Sequence, residues 1–248
     1  MQIARGGHSE IEVFRRPRVA FIPTGDELLP IDRKVPSGKN LESNSLMARM
    51  KLNEWGAEAV VLGIVPDDPA LISAAITEVL GSCDIVVING GSSKGTKDFT
   101  SLVLEGFGEV LSHAVLLGPG AHTIFCITPE AKPIIGLSGP SEGAECTIDW
   151  YILPLIEAYY GRRPHEVPCV EAKLLTPLEN SGHSVDMALR VVLSRSPKGI
   201  VYARSLFADG ESDRFGGDGF AFLSPGTRLA QGESISIELR YPYRFMFE

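Results

Sequence analysis

The sequence predicts an α/β fold, a three-layer, doubly wound and mostly parallel sheet, followed by a small all-β, barrel-like domain. Apolar runs of strand length alternate with segments of helical periodicity as far as Gly161. These runs lack the strict alternation of half-exposed strands, as expected for a parallel sheet covered on both faces. Beyond Gly161 only short extended runs remain, separated by Gly, Pro, Ser and Asp, which favours a barrel.

The elements follow from these patterns in chain order. We expect an N-terminal remnant or linker at 1–16, the α/β domain at 17–163 and the β domain at 164–248. The predicted strands and extended segments of the α/β domain are 18–23, 59–64, 85–88, 110–117, 123–128 and 133–137. The predicted helices are 46–55, a segment after Pro69 as far as Leu80, 99–107 and 144–160. Pro154 should bend or divide the last helix, because proline lacks a backbone donor. The predicted strands of the β domain are 167–175, 185–194, 199–206, 218–223 and 234–240.

Composition excludes several classes of protein. The net charge of -8 argues against a nucleic-acid binder, which usually gathers lysine and arginine into a patch. Neither a signal peptide at 1–16 nor a membrane-spanning apolar run is evident, so we expect a cytoplasmic protein without a membrane partner. The four cysteines are widely scattered, which predicts buried thiols and not a zinc site or a disulfide framework.

Glycine-rich polar clusters follow several of the predicted strands directly. Because loops at the carboxyl ends of parallel strands meet in one crevice, where free N–H groups attract anions, these clusters predict one site for a phosphate-bearing ligand. The clusters are Thr24-Gly25-Asp26-Glu27, Asn89-Gly90-Gly91-Ser92-Ser93, Gly118-Pro119-Gly120 and Gly136-Leu137-Ser138-Gly139-Pro140.

Single motifs leave alternatives open. Taken alone, Thr24 to Glu27 is better explained as a turn with solvated carboxylates than as a binding loop. Asp98 could cap the helix that it precedes, or it could join Glu27 in binding Mg²⁺, which prefers carboxylates, ligand oxygens and water. Ser43 or Asn44 is a natural N-cap for the first long helix.

Together the loops resemble the molybdopterin molybdenumtransferase family over about residues 12–248, without the family's N-terminal domains. The β tail, with Leu223-Ser224-Pro225-Gly226, looks like that family's C-terminal barrel. The stretches that carry the resemblance are Arg16-Pro17-Arg18-Val19-Ala20, Thr24-Gly25-Asp26-Glu27-Leu28, Ser43-Asn44, and Gly90-Gly91-Ser92-Ser93-Lys94-Gly95 through Asp98.

The resemblance implies molybdenum cofactor biosynthesis: an enzyme inserting molybdate into adenylylated molybdopterin with AMP release, dependent on Mg²⁺. It implies Glu27 and Asp98 as catalytic and metal-binding residues. The implied partners are a second copy of the chain, molybdopterin adenylyltransferase or molybdoenzymes. The residues that it implies for binding the pterin phosphate are Thr24, Gly25, Asp26, Asn44, Gly90, Gly91, Ser92, Ser93 and Gly95.

An alternative is a non-catalytic molybdopterin-binding or sensing protein of the same fold. The turn Pro119-Gly120-Ala121-His122 lacks the lysine usual in the family, and the loop 136–144 lacks its asparagine and carries Glu142. These departures lie in ligand loops, where they affect activity more than fold.

Overall fold

The computed structural model describes residues 2–31, 34–90, 97–207 and 216–240, with the backbone alone for 97–99. The strands of its α/β part, in chain order, are β1 (Arg18–Pro23), β2 (Leu28–Leu29), β3 (Asn40–Leu41), β4 (Glu58–Val61), β5 (Ile85–Asn89), β6 (Glu109–Ser112), β7 (Leu117–Gly118), β8 (Ile124–Ile127) and β9 (Pro133–Leu137). Six of these strands form one sheet in the order β4-β1-β5-β9-β8-β6. The first four are parallel to one another, whereas β8 is antiparallel to both of its neighbours. The predicted mostly parallel sheet is therefore confirmed.

Helices cover both faces of this sheet. They are α2 (Asn44–Glu54), α3 (Pro69–Leu80), α4 (Lys97–Glu105), α5 (Ser141–Thr147) and α6 (Leu153–Tyr159), whereas the short helix α1 (Gln2–Arg5) is exposed. Helices α3 and α4 pack on one face around a core that includes Ile22 and Ile88. Helices α2 and α6, together with the helical segment Ile148–Ile152 before α6, pack on the other, around Phe21 and Val87. Neighbouring residues of β1 and β5 thus point into opposite cores, which explains their unbroken apolar runs.

Helix starts follow from local chemistry at two places. Asp68 caps α3, because its Oδ1 accepts hydrogen bonds from the N–H groups of Ala70 (2.8 Å) and Leu71 (3.1 Å). Of the two expected N-cap residues at α2, Ser43 and Asn44, Ser43 occupies the N-cap position, but its hydroxyl makes no capping hydrogen bond. Neither side chain caps the helix, and the Glu42 carboxylate instead accepts the Ser45 N–H at 2.9 Å. This arrangement leaves the Asn44 side chain available for other contacts.

The long helix predicted at 144–160 consists of α5 and α6 joined by a π-helical segment, Ile148–Ile152. Pro154 lies in the first turn of α6. The wider π-helical turn before it accommodates a residue without an N–H donor, as bulges of this kind do elsewhere. The expected division at Pro154 is thus made by a change of helix type.

Five of the remaining strands form a closed barrel, and the other two pair with each other. The remaining strands are β10 (Cys169–Leu174), β11 (Leu178–Glu179), β12 (Asp186–Arg195), β13 (Val201–Ser205), β14 (Gly219–Leu223), β15 (Arg228–Leu229) and β16 (Ser234–Leu239). Strands β11 and β15 are the separate pair. The order β13-β10-β16-β14-β12 closes through a further pairing of β12 with β13. Ala203, Ala221 and Ile237 fill its interior. The predicted all-β barrel is confirmed, whereas the domain bounds 17–163 and 164–248 remain a prediction.

The barrel and the α/β part share a strand pairing. The short strand β7 runs parallel to the start of β12, with Leu117 opposite Asp186 and Gly118 opposite Met187. Within the described residues, no helix is both long and apolar enough to cross a bilayer.

Candidate functional site

Three of the glycine-rich loops meet where β1, β5 and β9 end. The Thr24 N–H donates to the carbonyl of Asn89 at 2.8 Å, and the Gly90 N–H donates to the carbonyl of Leu137 at 3.2 Å. The sheet ladder thus continues one residue beyond each strand. As a result, the loops leave the sheet side by side and at the same level.

Two asparagine side chains join these loops to the start of α2. Asn44 Nδ2 donates to Asn89 Oδ1 at 2.8 Å and to the Gly139 carbonyl at 2.9 Å. Asn89 Nδ2 donates to the Ser138 carbonyl at 2.7 Å. Both asparagines are buried. Because water does not reach their amide groups, these hydrogen bonds satisfy donors and acceptors that would otherwise have no partner. The start of α2 and the ends of β5 and β9 therefore form one rigid unit.

Gly90 and Thr24 are in close contact at the centre of this edge. Gly90 has φ +129°, and a Cβ at this position would lie 2.1 Å from the Thr24 carbonyl oxygen. The Thr24 hydroxyl is buried, and among the described residues it has no hydrogen-bond partner. A buried hydroxyl in this state is an available contact for a ligand group.

The loop after β1 folds back over its own backbone. The Gly25 N–H donates to the Val65 carbonyl at 3.1 Å, and the Glu27 carboxylate lies so near Gly25 that a Cβ there would be 2.8 Å from Glu27 Oε2. Lys39 Nζ donates to the Asp26 carbonyl at 2.7 Å. Asp26 and Glu27 are both exposed, so their carboxylates face the solvent at this edge.

Asp67 is a candidate site residue that the sequence did not reveal. It follows β4, and its N–H donates to Asp26 Oδ1 at 3.3 Å. Its own Oδ1 is buried, with no partner among the described residues. Burial raises the pKa of Asp67, and the charges of Glu27 and Asp26 raise it further. The sequence feature that could have indicated Asp67 is the pair Asp67-Asp68 after a strand. Asp68 caps α3, which leaves the carboxylate of Asp67 without a capping role.

The carboxylates at this edge fit a divalent cation only in part. In the described part of the chain, no three acidic, histidine or cysteine side chains are arranged to hold a metal by themselves. The partnerless Asp67 oxygen beside Glu27 and Asp26 is nevertheless a hard donor in a negatively charged place, which suits Mg²⁺. An ion here would need further oxygens from a bound ligand or from another side chain.

The fourth glycine loop approaches the same edge through α5. A Cβ on Gly143 would lie 2.5 Å from Ser138 Oγ and 3.3 Å from the Gly120 nitrogen. Glu142, in the first turn of α5, lies toward the barrel, with Oε1 3.6 Å from Arg190 Nε. Its charge is therefore offset by a barrel residue. His122 is exposed.

Several predicted site residues lie outside the described residues. These are Gly91, Ser92, Ser93 and Gly95, together with the side chain of Asp98, whose backbone belongs to α4. The residues Thr24, Gly25, Asp26, Glu27, Asn44 and Gly90 all lie at the carboxyl edge of the sheet.

This geometry defines an α/β protein with a candidate ligand site at the carboxyl edge of its sheet, and comparison identifies the family. Residues 20–158 match the family described as a probable molybdopterin binding domain. The chain therefore belongs to that family.

Named relatives agree with this assignment. The chain is 31% identical over 155 residues to the molybdopterin molybdenumtransferase of Nostoc sp., covering 61% of this chain and 36% of that protein. It is 30% identical over 174 residues to that of Bacillus subtilis, covering 69% and 40%. The crystal structure of the molybdopterin biosynthesis moea protein from Pyrococcus horikosii superimposes with a TM-score of 0.79 and 25% identity, over 98% of this chain and 59% of that one. The resemblance predicted from the loops is confirmed, and the chain spans about two fifths of the length of these curated relatives.

Proposed function

We propose that this chain acts in molybdenum cofactor biosynthesis as a molybdopterin molybdenumtransferase. It binds adenylylated molybdopterin, and with Mg²⁺ present it promotes insertion of molybdate and release of AMP. The observation that carries the proposal is the pair of hydrogen bonds from Asn44 to Asn89 and Gly139, which joins the start of α2 to the loops after β5 and β9 at one edge of the sheet. The names of the relatives support molybdenum transfer to molybdopterin, while the adenylylated substrate, the Mg²⁺ and the release of AMP are part of the proposal.

The chain's residues divide the work of binding. Thr24 offers a buried hydroxyl without a partner, and Gly90 allows the loop backbone to approach it closely. Ser92, Ser93 and the N–H groups of Gly91 and Gly95 are proposed to bind the phosphate. Asn44 orients the loops through its side chain.

Glu27 and Asp98 are the proposed Mg²⁺ ligands, and Asp67 is a further donor at the same edge. When bound, Mg²⁺ would neutralise the charge of phosphate and molybdate oxygens. The raised pKa of Asp67 is consistent with a carboxylate that lacks its counter-ion. In the proposed reaction a water attacks the phosphoryl link, so that AMP leaves and the pterin keeps its own phosphate. The two dithiolene thiols bind molybdenum, and their protons leave with one molybdate oxygen as water.

A specific observation favours a second candidate, a non-catalytic molybdopterin-binding or sensing protein. The turn at 119–122 presents His122 to solvent where the family has a lysine. A neutral imidazole attracts an oxyanion less than a lysine does. Such a protein would bind the pterin without transferring the metal.

One experiment separates the two candidates. Adenylylated molybdopterin is titrated into the protein by calorimetry, Mg²⁺ and molybdate are added, and AMP and cofactor are measured by chromatography. We expect binding followed by AMP release, and we expect Asp98→Ala and Asp67→Asn to bind the pterin but to lower AMP release about 100-fold or more, as loss of a group acting on the transition state does. Binding without AMP release by the unaltered protein favours the second candidate, and no binding contradicts both.

The matched control removes a carboxylate elsewhere. Glu130 is exposed in the turn between β8 and β9, at the opposite end of the sheet. Glu130→Gln should leave binding and AMP release unchanged. An equal loss in this variant would show that net charge, and not the edge carboxylates, determines activity.

The proposed partners are a second copy of the chain in a homodimer, molybdopterin adenylyltransferase as the source of substrate, and molybdoenzymes as acceptors of product. Light scattering of the protein alone tests the homodimer.

A further inference from the structure

A cavity of about 450 Å³ lies between α2, α6 and the barrel, away from the candidate site at the edge of the sheet. It contacts Lys51, Glu54 and Trp55 at the carboxyl end of α2, whereas Asn44 at the opposite end of that helix belongs to the ligand loops. The long axis of α2 therefore separates the two places. This volume is sufficient for a small organic molecule.

Aromatic rings form one wall of this cavity. We call Trp55, Trp150 and Phe220 the aromatic wall. Trp150 and Phe220 are edge to face, with ring centroids 5.7 Å apart. Leu153 and Pro154 add apolar surface. Cations of the chain already lie over two of these rings, Lys51 Nζ 5.9 Å from the Trp55 centroid and the Arg240 guanidinium 5.8 Å from that of Phe220. The aromatic wall is therefore suited to the apolar body of a ligand, and a charged group of the ligand needs a carboxylate instead.

The basic side chains near the cavity are already paired. Lys51 Nζ lies 2.8 Å from Asp149 Oδ1, and Arg240 Nη2 lies 2.6 Å from Glu145 Oε1. Arg190, behind them, lies 2.7 Å from Glu145 Oε2 and 3.6 Å from Glu142 Oε1. Three bases thus meet three acids, and none of these bases is left over for an anionic ligand.

Two further acids line the cavity, Glu54 and Glu238. Among the described residues, no lysine, arginine or histidine forms an ion pair with Glu54 or Glu238. His165, which also lines the cavity, lies 3.1 Å from Glu157. Glu238 is half-buried on β16, and burial raises the pKa of its carboxyl. The cavity therefore carries an excess of negative charge beside aromatic rings.

We propose that this cavity binds a small organic cation with an apolar body. The ammonium or guanidinium group pairs with Glu238, while the apolar body lies against the aromatic wall. Glu54, which is exposed at the mouth, attracts the cation as it enters. This site is independent of the proposed transferase activity, so neither result depends on the other.

The chain contains its own probe for this site, because both of its tryptophans line the cavity. The ligand used is 2-phenylethylamine, which is a cation at neutral pH and absorbs little where tryptophan is excited. Its uncharged and anionic counterparts of similar shape are 2-phenylethanol and 3-phenylpropanoate. We expect a saturable change in tryptophan emission with the amine, and binding about ten-fold or more weaker for the alcohol, which is the effect of losing one hydrogen bond to a charged group.

Substitutions assign the effect to Glu238. Glu238→Gln should weaken binding of the amine about ten-fold and leave the alcohol unaffected. The matched control is Glu171→Gln, on the neighbouring strand β10 and outside the cavity, which should bind the amine as the unaltered protein does. Circular dichroism confirms that each variant is folded.

Three outcomes would overturn the proposal. They are carboxylate binding as tight as amine binding, amine binding that Glu238→Gln leaves unchanged, and no saturable amine binding by fluorescence or calorimetry. The comparison of the three ligands needs only the unaltered protein, so it decides the matter even if Glu238→Gln does not fold.

Discussion

At the carboxyl edge of the sheet, glycine allows two loops to approach closely, and asparagine amides join loops by hydrogen bonds. Asn44 and Asn89 bridge loops because an amide both donates and accepts, and their bonds span nearly a hundred residues of chain. The position of Thr24 and Gly90 at this edge followed from their place after strands. The bridging role of Asn44 could not be predicted from the sequence. Its side chain is available for these bonds because the Glu42 carboxylate, and not Asn44, accepts the Ser45 N–H at the start of α2.

Gly90→Ala tests the close approach at this edge. The new Cβ would lie 2.1 Å from the Thr24 carbonyl oxygen and 2.5 Å from its Oγ1, at a φ of +129°. We expect the free energy of unfolding to fall by about 3 kcal/mol or more, because both the backbone and β1 must move. Urea unfolding followed by circular dichroism measures the change. Gly81→Ala, where the structure shows no atom within 4 Å of the new Cβ and φ is -66°, should change it by less than about 1 kcal/mol; similar losses in both variants would contradict the steric argument.

Helices and strands could be predicted where the apolar residues of a segment follow a single periodicity. The strands β1, β5 and β9 and helix α3 begin and end close to the expected residues. Periodicity fails in two cases. The π-helical segment before Pro154 preserves an apolar face while changing the number of residues per turn, and β7 has only two residues, paired with a strand of the barrel. Both depend on contacts between distant parts of the chain, which a local pattern does not contain.

The burial of each cysteine determines whether its thiol can react, and Cys146 on α5 is one of the buried ones. Burial raises the pKa of the Cys146 thiol to about 12, so almost none of it is thiolate at neutral pH. Cys83 and Cys126 are buried as well, whereas Cys169 is exposed, and for that residue the prediction of buried thiols is wrong. We expect a thiol-specific chromogenic reagent to modify Cys169 alone in the native protein and all four cysteines in urea. Cys169→Ser should abolish the native reaction, and rapid modification of a second thiol would contradict the described packing.

At the scale of the whole molecule, the barrel and the α/β part are joined by buried charge. Arg190 on β12 is 1% exposed, and its guanidinium donates to Glu145 on α5 at 2.7 Å. It also lies over the Phe220 ring, 5.3 Å from the centroid. Because α5 follows the loop that Asn44 and Asn89 hold, this ion pair connects the barrel to the candidate site. A search for ligand motifs could not have identified Arg190, which follows an ordinary strand pattern.

Arg190→Met measures how much this connection stabilises the fold. The substitution leaves Glu145 with Arg240 and Lys51 but removes its most buried partner, so we expect the free energy of unfolding to fall by about 3 kcal/mol. Glu145→Gln should cost less in the Arg190→Met background than in the unaltered protein, because one of the three basic partners of that carboxylate has already been removed. A double-mutant cycle in urea should give a coupling energy of about 1.5 kcal/mol or more. Lys173→Met, at an exposed position of β10, should stay within about 0.5 kcal/mol of the unaltered protein. If the effects of Arg190→Met and Glu145→Gln are additive, the ion pair contributes no coupling energy. Apolar packing around Phe220 and Trp150 would then hold the barrel to α5.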